Sequence, residues 1–193
     1  MVVVSAKVRL VSDEIEVLRM VVSRLEVAAI EYMLTGSVAM AWYAQPRQTR
    51  DLDLVVELPE SKIDLIVKAF SPDFYLDADV VLEEVRRRGM FNMIQEVLLV
   101  KVDMILRKPD PHGVVAFQRR RRVELVSGLS LDIISPEDLV LAKLRWAAEG
   151  ESELQIRDVR NLVRSVDGLD EAYLWKWASK LGVDVLLKRA SFE

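Results

Sequence analysis

Three aspartates occur where their carboxylates could act together on a metal ion. Asp51 and Asp53 are two residues apart in the apolar run DLDLVVEL, and Asp103 lies in the apolar run LLVKVDMIL. Because successive side chains of a β-strand alternate between its faces, Asp51 and Asp53 share one face, and Leu52 and Leu54 share the other. Neighbouring carboxylates repel one another and resist burial unless a positive charge lies between them. The pattern therefore predicts a site for Mg²⁺ or Mn²⁺, which prefer carboxylate oxygens, held by Asp51, Asp53 and Asp103.

A glycine–serine pair, Gly36–Ser37, lies upstream of these aspartates. It follows the apolar stretch EYMLT, expected to be a strand, and opens SVAMAWYA, expected to be a short helix with Ser37 as its N-cap. Gly36 lets backbone N–H groups approach a phosphate, the helix N-terminus favours negative charge, and the Ser37 hydroxyl adds a donor. Metal ions on the aspartates could then activate an attacking oxygen and stabilise a leaving pyrophosphate. Each of these features has a physical reason if the chemistry is transfer of a nucleotide.

Simpler interpretations of the aspartates stay open. Asp51 and Asp53 could be solvent-facing residues of an edge strand, where charges resist aggregation. Asp132, in the apolar stretch LSLDII, competes with Asp103 as the third carboxylate. We favour Asp103 because it lies in a longer strand beside an expected hairpin, and we expect Asp132 to be an exposed strand-end residue.

In order and spacing, these motifs resemble the signature of the DNA polymerase beta-type nucleotidyltransferase superfamily. TGSVAMAWYAQPRQTRDLDLVV matches its apolar–Gly–Ser element, a gap (residues 38–50, at the long end of the usual range) and its Asp–apolar–Asp strand. VKVDMIL resembles the third carboxylate strand. ISPEDLVLAKLRWAAEGESELQIRDVRNLV resembles the C-terminal helices of the AbiEii-like and minimal branch, with Lys143, Arg157 and Asp158 at matching positions. The resemblance spans roughly residues 32–163.

The resemblance implies a Mg²⁺-dependent enzyme that transfers a nucleoside monophosphate to an acceptor hydroxyl on an RNA end, a protein or a small molecule. It implies that Gly36 and Ser37 hold the β- and γ-phosphates and that Lys143 lies near the triphosphate. It also makes a toxin–antitoxin or phage-defence context and a helical partner protein plausible. Lys143 could instead be a solvated helix position, with Asp158 paired to it or to Arg157 on the surface.

Two other functions compete with this hypothesis. A non-catalytic module could keep the fold and bind a nucleotide or a partner, although the intact Asp–x–Asp and Gly–Ser elements argue against it. A metal-dependent phosphohydrolase also gathers aspartates on strands, but such enzymes usually need histidines, and the chain has only one.

The elements that must position these residues form an α+β pattern. Strands are expected before Pro136 and helices after it, with Ser135 as an N-cap and Asp138 at the capping-box position. FNMIQEV and LLVKVDMILR read as an antiparallel hairpin, whereas VVAFQRRRRVEL is ambiguous between helix and strand. We therefore expect a nucleotidyltransferase-like mixed sheet flanked by helices over residues 1–134, and a helical region packed on it over residues 135–193.

Composition restricts the class of protein. The 193 residues include no cysteine and carry a net charge of −4, so neither a disulfide framework nor a general nucleic-acid binder is expected. No apolar run is long enough for a membrane span, and the start does not read as a signal peptide, which makes a cytoplasmic protein the expectation. An oligomer is compatible with the composition.

Other residues with chemical potential have simpler interpretations. The run Arg119–Arg122 could grip phosphates but is more often a solvated face. His112 is expected to be exposed in a turn, and Trp42 and Trp146 are expected in the core. Trp175 and Trp177 cannot share a helix face, so one of them should be packed and the other exposed.

Overall fold

The computed structural model describes residues 12–46 and 51–192, which form one mixed sheet and a set of helices. The strands are β1 (Glu31–Thr35), β2 (Asp51–Glu57), β3 (Phe74–Tyr75), β4 (Met90–Gln95), β5 (Lys101–Leu106), β6 (Arg121–Val126) and β7 (Leu129–Ile133). The helices are α1 (Ser12–Val27), α2 (Gly36–Tyr43), α3 (Ile63–Phe70), α4 (Ala78–Arg87), α5 (Pro111–Gln118), α6 (Pro136–Gly150), α7 (Glu153–Ser165), α8 (Glu171–Leu181) and α9 (Asp184–Phe192), with a 3₁₀ turn at Glu60–Lys62. The expected start of the chain lies outside the described residues, as does most of the polar turn expected at residues 45–50.

The sheet has the strand order β3-β4-β5-β2-β1-β7-β6. Two neighbouring pairs, β2 with β5 and β1 with β7, are parallel, and the remaining pairs are antiparallel. The expected hairpin is β4–β5. The α+β class, with a mixed sheet flanked by helices, is thus confirmed.

The alternation expected in β2 places its apolar residues in the core. Leu52, Leu54 and Val56 are fully buried, whereas Asp51 is exposed and Asp53 is half-buried on the opposite face. Helix α1 packs on β1, β2 and α3. Burial of the leucine face fixes the register of β2, because a shift by one residue would bring the aspartates into the core.

The helical region after β7 begins as its sequence predicts. The Ser135 hydroxyl accepts a hydrogen bond from the backbone N–H of Asp138 at 3.2 Å, and Pro136 occupies the first turn of α6. Helix α6 then packs against α2, α7, α8 and α9. Helix α2 in turn packs on β1 and β2, so the helical region contacts the sheet layer through α2.

Two local assignments differ from expectation or resolve an ambiguity. Helix α2 begins at Gly36, so Thr35 and not Ser37 is its N-cap residue, and Thr35 makes no side-chain capping hydrogen bond. The stretch VVAFQRRRRVEL contains both structures: its first part ends α5, and β6 starts at Arg121.

Three aromatic assignments also need correction or qualification. His112 is buried, because PDPHG forms the start of a helix and not an open turn: Asp110 caps the Gly113 N–H at 2.9 Å. Trp146 is 54% exposed and lies outside the core, whereas Trp42 is half-buried and packs on the core.

Trp177 is packed and Trp175 is exposed, as expected for two tryptophans two residues apart on α8. Among the described residues, no helix has the length and apolar character needed to cross a bilayer.

Candidate functional site

Strand pairing brings the three predicted carboxylates to one place on the sheet. Asp53 and Asp103 are directly opposite one another on the neighbouring parallel strands β2 and β5. Asp51 lies two residues before Asp53 on the same face, opposite Lys101. Asp132 lies on β7, two strands away from β2, where it pairs with arginines and is half-buried, not exposed as expected. Of the two candidates for the third carboxylate, only Asp103 adjoins the pair.

The three carboxylates form a local concentration of negative charge. Burial, with the charges of Asp103 and Asp51 added to it, raises the pKa of Asp53 to about 6. Asp103 is only 7% exposed. Its Oδ2 accepts a hydrogen bond from Lys101 Nζ at 2.7 Å, whereas its Oδ1 is buried with no hydrogen-bond partner among the described residues. An unsatisfied buried carboxylate oxygen is costly, and a bound cation would satisfy it.

The turn from β1 into α2 approaches this cluster closely. Gly36 has φ +66°, and a Cβ added there would lie 1.9 Å from Asp53 Oδ2. Only glycine combines this backbone conformation with this contact. Ser37 follows in the first turn of α2 and is buried. The phosphate-binding element predicted from the sequence therefore adjoins the carboxylates.

Lys143 on α6 closes the other side of the site. Only 4% of it is exposed, so the solvated-position hypothesis is wrong. Its Nζ donates to Asp158 Oδ2 at 2.7 Å and to Gln155 Oε1 at 3.2 Å, both on α7. The expected pairing of Lys143 with Asp158 occurs, but it is buried and not on the surface. Lys143 also acts electrostatically on Asp53, whose pKa it lowers against the larger effect of burial.

These residues line a cleft of about 390 Å³, here called the carboxylate cleft, between the sheet and α6. Its lining consists of Thr35, Gly36, Ser37, Asp51, Asp53, Met90, Lys101, Asp103, Ile105, Leu139, Ala142, Lys143, Trp146 and Gln155. A second opening of about 610 Å³, the adjoining cleft, shares five of these residues with it. The shared wall comprises Thr35, Met90, Ile105, Ala142 and Trp146. The two clefts therefore lie side by side at this wall.

The donor chemistry of the carboxylate cleft suits a hard divalent cation. Three carboxylates, one with an unpaired buried oxygen, supply the oxygen ligands that Mg²⁺ and Mn²⁺ prefer. However, within the part of the chain that the structure describes, no three acidic or histidine side chains stand in a ready metal-binding arrangement. The residues fit such an ion by type and position, and they need a side-chain adjustment to bind it.

The arginine run, expected to be a solvated face or a phosphate grip, is engaged in ion pairs. Arg121 and Arg122 are exposed, as a solvated face predicts, whereas Arg119 and Arg120 are half-buried. Arg119 pairs with Glu137 and Asp138 at 3.0 and 3.1 Å. The next arginine of the run, Arg120, contacts Glu31 at 2.6 Å. The remaining contacts are Arg120 to Asp132 at 3.3 Å, Arg121 to Glu137 at 3.9 Å, Arg122 to Glu26 at 2.8 Å and Arg122 to Asp132 at 3.5 Å. The positive charge of the run is thus largely neutralised within the chain.

Two residues of the site were missed from the sequence. Lys101 precedes Asp103 by two residues, so the same strand alternation that grouped Asp51 with Asp53 predicts its position. Trp146 lies three residues after Lys143 on α6, and helical spacing therefore puts it on a nearby face. The positions of Lys101 and Trp146 in the site therefore follow from their spacing to Asp103 and Lys143.

Comparison with known proteins supports the fold. Neither a protein-family profile nor a curated protein sequence matches the chain. An antigenic nucleotidyltransferase-like protein from Paracoccidioides brasiliensis superposes with a TM-score of 0.53 at 19% identity, covering 93% of this chain and 94% of that one. The antibiotic-resistance factor ANT(2'')-Ia gives a TM-score of 0.53 at 11% identity, covering 86% and 94% respectively.

The chain therefore has a nucleotidyltransferase-like fold. At these identities the similarity shows the fold alone, and the activity has to be argued from the site.

Proposed function

We propose that the protein is a nucleotidyltransferase that moves a nucleoside monophosphate from a nucleoside triphosphate to an acceptor hydroxyl. The observation that supports this best is the pairing of Asp53 with Asp103 beside the Gly36–Ser37 turn. A carboxylate cluster and a phosphate-binding turn are the two parts that such a reaction needs. They occur together on a fold shared with nucleotidyltransferase-like proteins.

The residues of the carboxylate cleft have three kinds of role in this proposal. Asp51, Asp53 and Asp103 would hold Mg²⁺ or Mn²⁺, and the bound metal supplies Lewis-acid stabilisation of charge at the phosphates. The backbone N–H groups at Gly36–Ser37 and the Ser37 hydroxyl bind the β- and γ-phosphates. Lys143 adds a positive charge close to the triphosphate.

The transfer is a single in-line displacement at the α-phosphorus. The acceptor oxygen forms a new bond to this phosphorus while the bond to the α–β bridging oxygen breaks, and pyrophosphate leaves with the bond electrons. The acceptor proton passes to a carboxylate of the cleft, and we assign this role to Asp103, which stands opposite Asp53 on the neighbouring strand.

We place the acceptor in the adjoining cleft, because this cleft shares five lining residues with the carboxylate cleft. Its volume of about 610 Å³ suits a small molecule. Met90 and the exposed indole of Trp146 give it an apolar wall. The arginines of residues 119–122 are engaged in ion pairs, which disfavours an RNA end. A small hydroxyl-bearing acceptor with an apolar body therefore fits better than RNA or a protein side chain.

Three further proposals rest on the sequence resemblance alone: the AbiEii-like branch, the toxin–antitoxin or defence context, and the helical partner protein. The division at residues 134 and 135 rests on the order of strands and helices expected from the sequence, and the cytoplasmic location rests on the composition.

Identifying the product released from the triphosphate, pyrophosphate or orthophosphate, tests the proposed reaction. The protein would be incubated with each of the four common NTPs and Mg²⁺, with a deproteinised cell extract as the source of acceptors. Release of pyrophosphate that the extract stimulates is the expected result. Release of orthophosphate would instead indicate a phosphohydrolase, and no release of either product would favour the non-catalytic module.

A further inference from the structure

Lys101 is the one charged residue of the carboxylate cleft that the proposed reaction leaves without a role. Its Nζ lies 2.7 Å from Asp103 Oδ2, and the residue stands directly opposite Asp51 on the neighbouring strand. Its ammonium group is thus inserted among the same carboxylates that would hold a divalent cation. An ammonium group and a metal ion compete for such oxygens, because both are bound by the same negative charge.

The two lysines of the cleft differ in how firmly they are held. Lys143 is buried and bound by both Asp158 and Gln155. The side chain of Lys101 is 38% exposed, and within the described residues its ion pair is with Asp103 alone. A long, half-exposed lysine can turn out to solvent at small cost, whereas a buried and doubly bonded one cannot. Lys101 is therefore the cation that can move.

We infer that Lys101 occupies part of the place that a divalent cation takes and leaves it when the cation binds. This inference rests on the proposed function, since it assumes that Asp51, Asp53 and Asp103 hold the metal. The consequence is a site that binds the free ion weakly. A metal–triphosphate complex has an advantage there, because its phosphates can accept the hydrogen bonds that the displaced ammonium loses.

The simpler interpretation is an ion pair that only stabilises the start of β5. The two interpretations differ in what happens when the ammonium is removed while the length of the side chain is kept. If the pair is only structural, Lys101→Met changes stability and leaves metal affinity unchanged. If Lys101 competes with the metal, Lys101→Met binds the free ion more tightly.

The test is a calorimetric titration of Mn²⁺, without nucleotide, into the full-length wild type and Lys101→Met. Removing one neighbouring charge changes the cation affinity of a carboxylate by about tenfold or more, so we expect Lys101→Met to bind Mn²⁺ at least about tenfold more tightly. Lys68→Met, which loses the same charge at an exposed position of α3 outside both clefts, should match the wild type. Adding Asp53→Asn to Lys101→Met should remove the gain.

Equal or weaker Mn²⁺ affinity of Lys101→Met, with its fold intact by circular dichroism, would overturn the inference. A parallel titration with Mg²⁺ and NTP separates this result from failure of the proposed function. If the wild type binds the metal–nucleotide complex and Lys101→Met gains nothing, only the role of Lys101 is wrong. If no variant binds metal with or without nucleotide, the proposed function itself is contradicted.

Discussion

At the scale of single residues, the site depends on a close contact between a carboxylate and a turn. Gly36 lies against the Asp53 carboxylate with a backbone conformation that other residues adopt only at a cost. The turn therefore positions the carboxylate while it presents its own N–H groups beside it. The alternation of side chains along a strand predicts that Asp53 and Asp51 share one face, and this prediction needs no knowledge of the fold.

Gly36→Ala tests this contact. The added methyl group would meet Asp53 Oδ2 and would impose strain at positive φ, so we predict a loss of about 2–3 kcal/mol in the free energy of unfolding. Urea denaturation measures this loss. Gly128→Ala is a matched control, because Gly128 also has positive φ but nothing lies within 4 Å of its added Cβ. Equal destabilisation by the two variants would show that the contact with Asp53 does not matter.

The sequence predicted Asp51, Asp53 and Asp103 because each interrupts an apolar strand, and strand periodicity is a local property. It did not predict the burial of His112, because that depends on residues distant in the chain. The His112 ring packs 5.0 Å from the ring of Trp177, and its Nε2 lies 3.2 Å from Asp138 Oδ1. Trp146 was expected in the core and lies outside it for a related reason. Because α6 is buried on most sides, the periodicity of its sequence does not show which side faces a cleft.

At the scale of elements, the buried Lys143–Asp158 pair connects α6 with α7. Removing one partner of a buried pair leaves the other charge without compensation, so we predict that Lys143→Met costs about 3 kcal/mol of stability. Replacing both, as Lys143→Met with Asp158→Leu, should recover most of it. Urea denaturation of the three proteins measures these differences.

The same double variant separates the structural role of Lys143 from its proposed ligand role. With stability recovered, we expect its affinity for Mg²⁺–NTP to fall by about tenfold, since the charge near the triphosphate is gone. Unchanged affinity would mean that Lys143 only connects the two helices.

A second ion pair connects α1 with the segment before β3. Arg24 donates to both oxygens of Asp73, at 2.5 and 2.6 Å, and this hydrogen bonding holds the pKa of Asp73 below its usual value. The pair therefore stabilises the fold above the unfolded pKa of about 3.9, and the contribution is lost as the pH falls through the lower folded pKa.

We predict that Asp73→Asn lowers the free energy of unfolding by about 1 kcal/mol at neutral pH and that the difference shrinks towards zero at about pH 2. Urea denaturation of both proteins at the two pH values measures it. Glu60→Gln, which breaks the more exposed Arg86–Glu60 pair, should have little effect at either pH. A difference of the same size at both pH values would rule out the ion pair as its cause.

At the scale of the whole molecule, the sheet and the helical region form two adjoining clefts, both lined by residues of α6. The sequence predicted the α+β class and the separation of strands from later helices, because periodicity and capping are readable locally. It did not predict the strand order, since pairing β2 with β5 joins residues about 50 apart along the chain. The adjoining cleft depends on this strand order, so the sequence did not predict it.

Trp146→Ala tests whether the acceptor contacts the wall that the adjoining cleft shares with the carboxylate cleft. Trp146 is largely exposed, so the midpoint of urea denaturation should stay close to that of the wild type. Pyrophosphate release stimulated by the extract should fall by about tenfold or more, as expected for loss of an aromatic contact in a binding cleft. Trp175→Ala, on α8 and outside both clefts, is the control and should behave as wild type. Release by Trp146→Ala at the wild-type rate would exclude this wall as part of the acceptor site.

The proposed metal and nucleotide site is tested most directly by measuring the binding of nucleotide to wild type and to Asp53→Asn. Thermal shift or calorimetry would be measured with ATP, GTP, CTP and UTP, each with and without Mg²⁺. We expect Mg²⁺-dependent binding of at least one NTP by the wild type and its loss in Asp53→Asn. The variant itself should be as stable as the wild type or more so, because the substitution relieves repulsion from Asp51 and Asp103. Equal binding of Mg²⁺–NTP by the two proteins would contradict the assignment of Asp53 to the metal site.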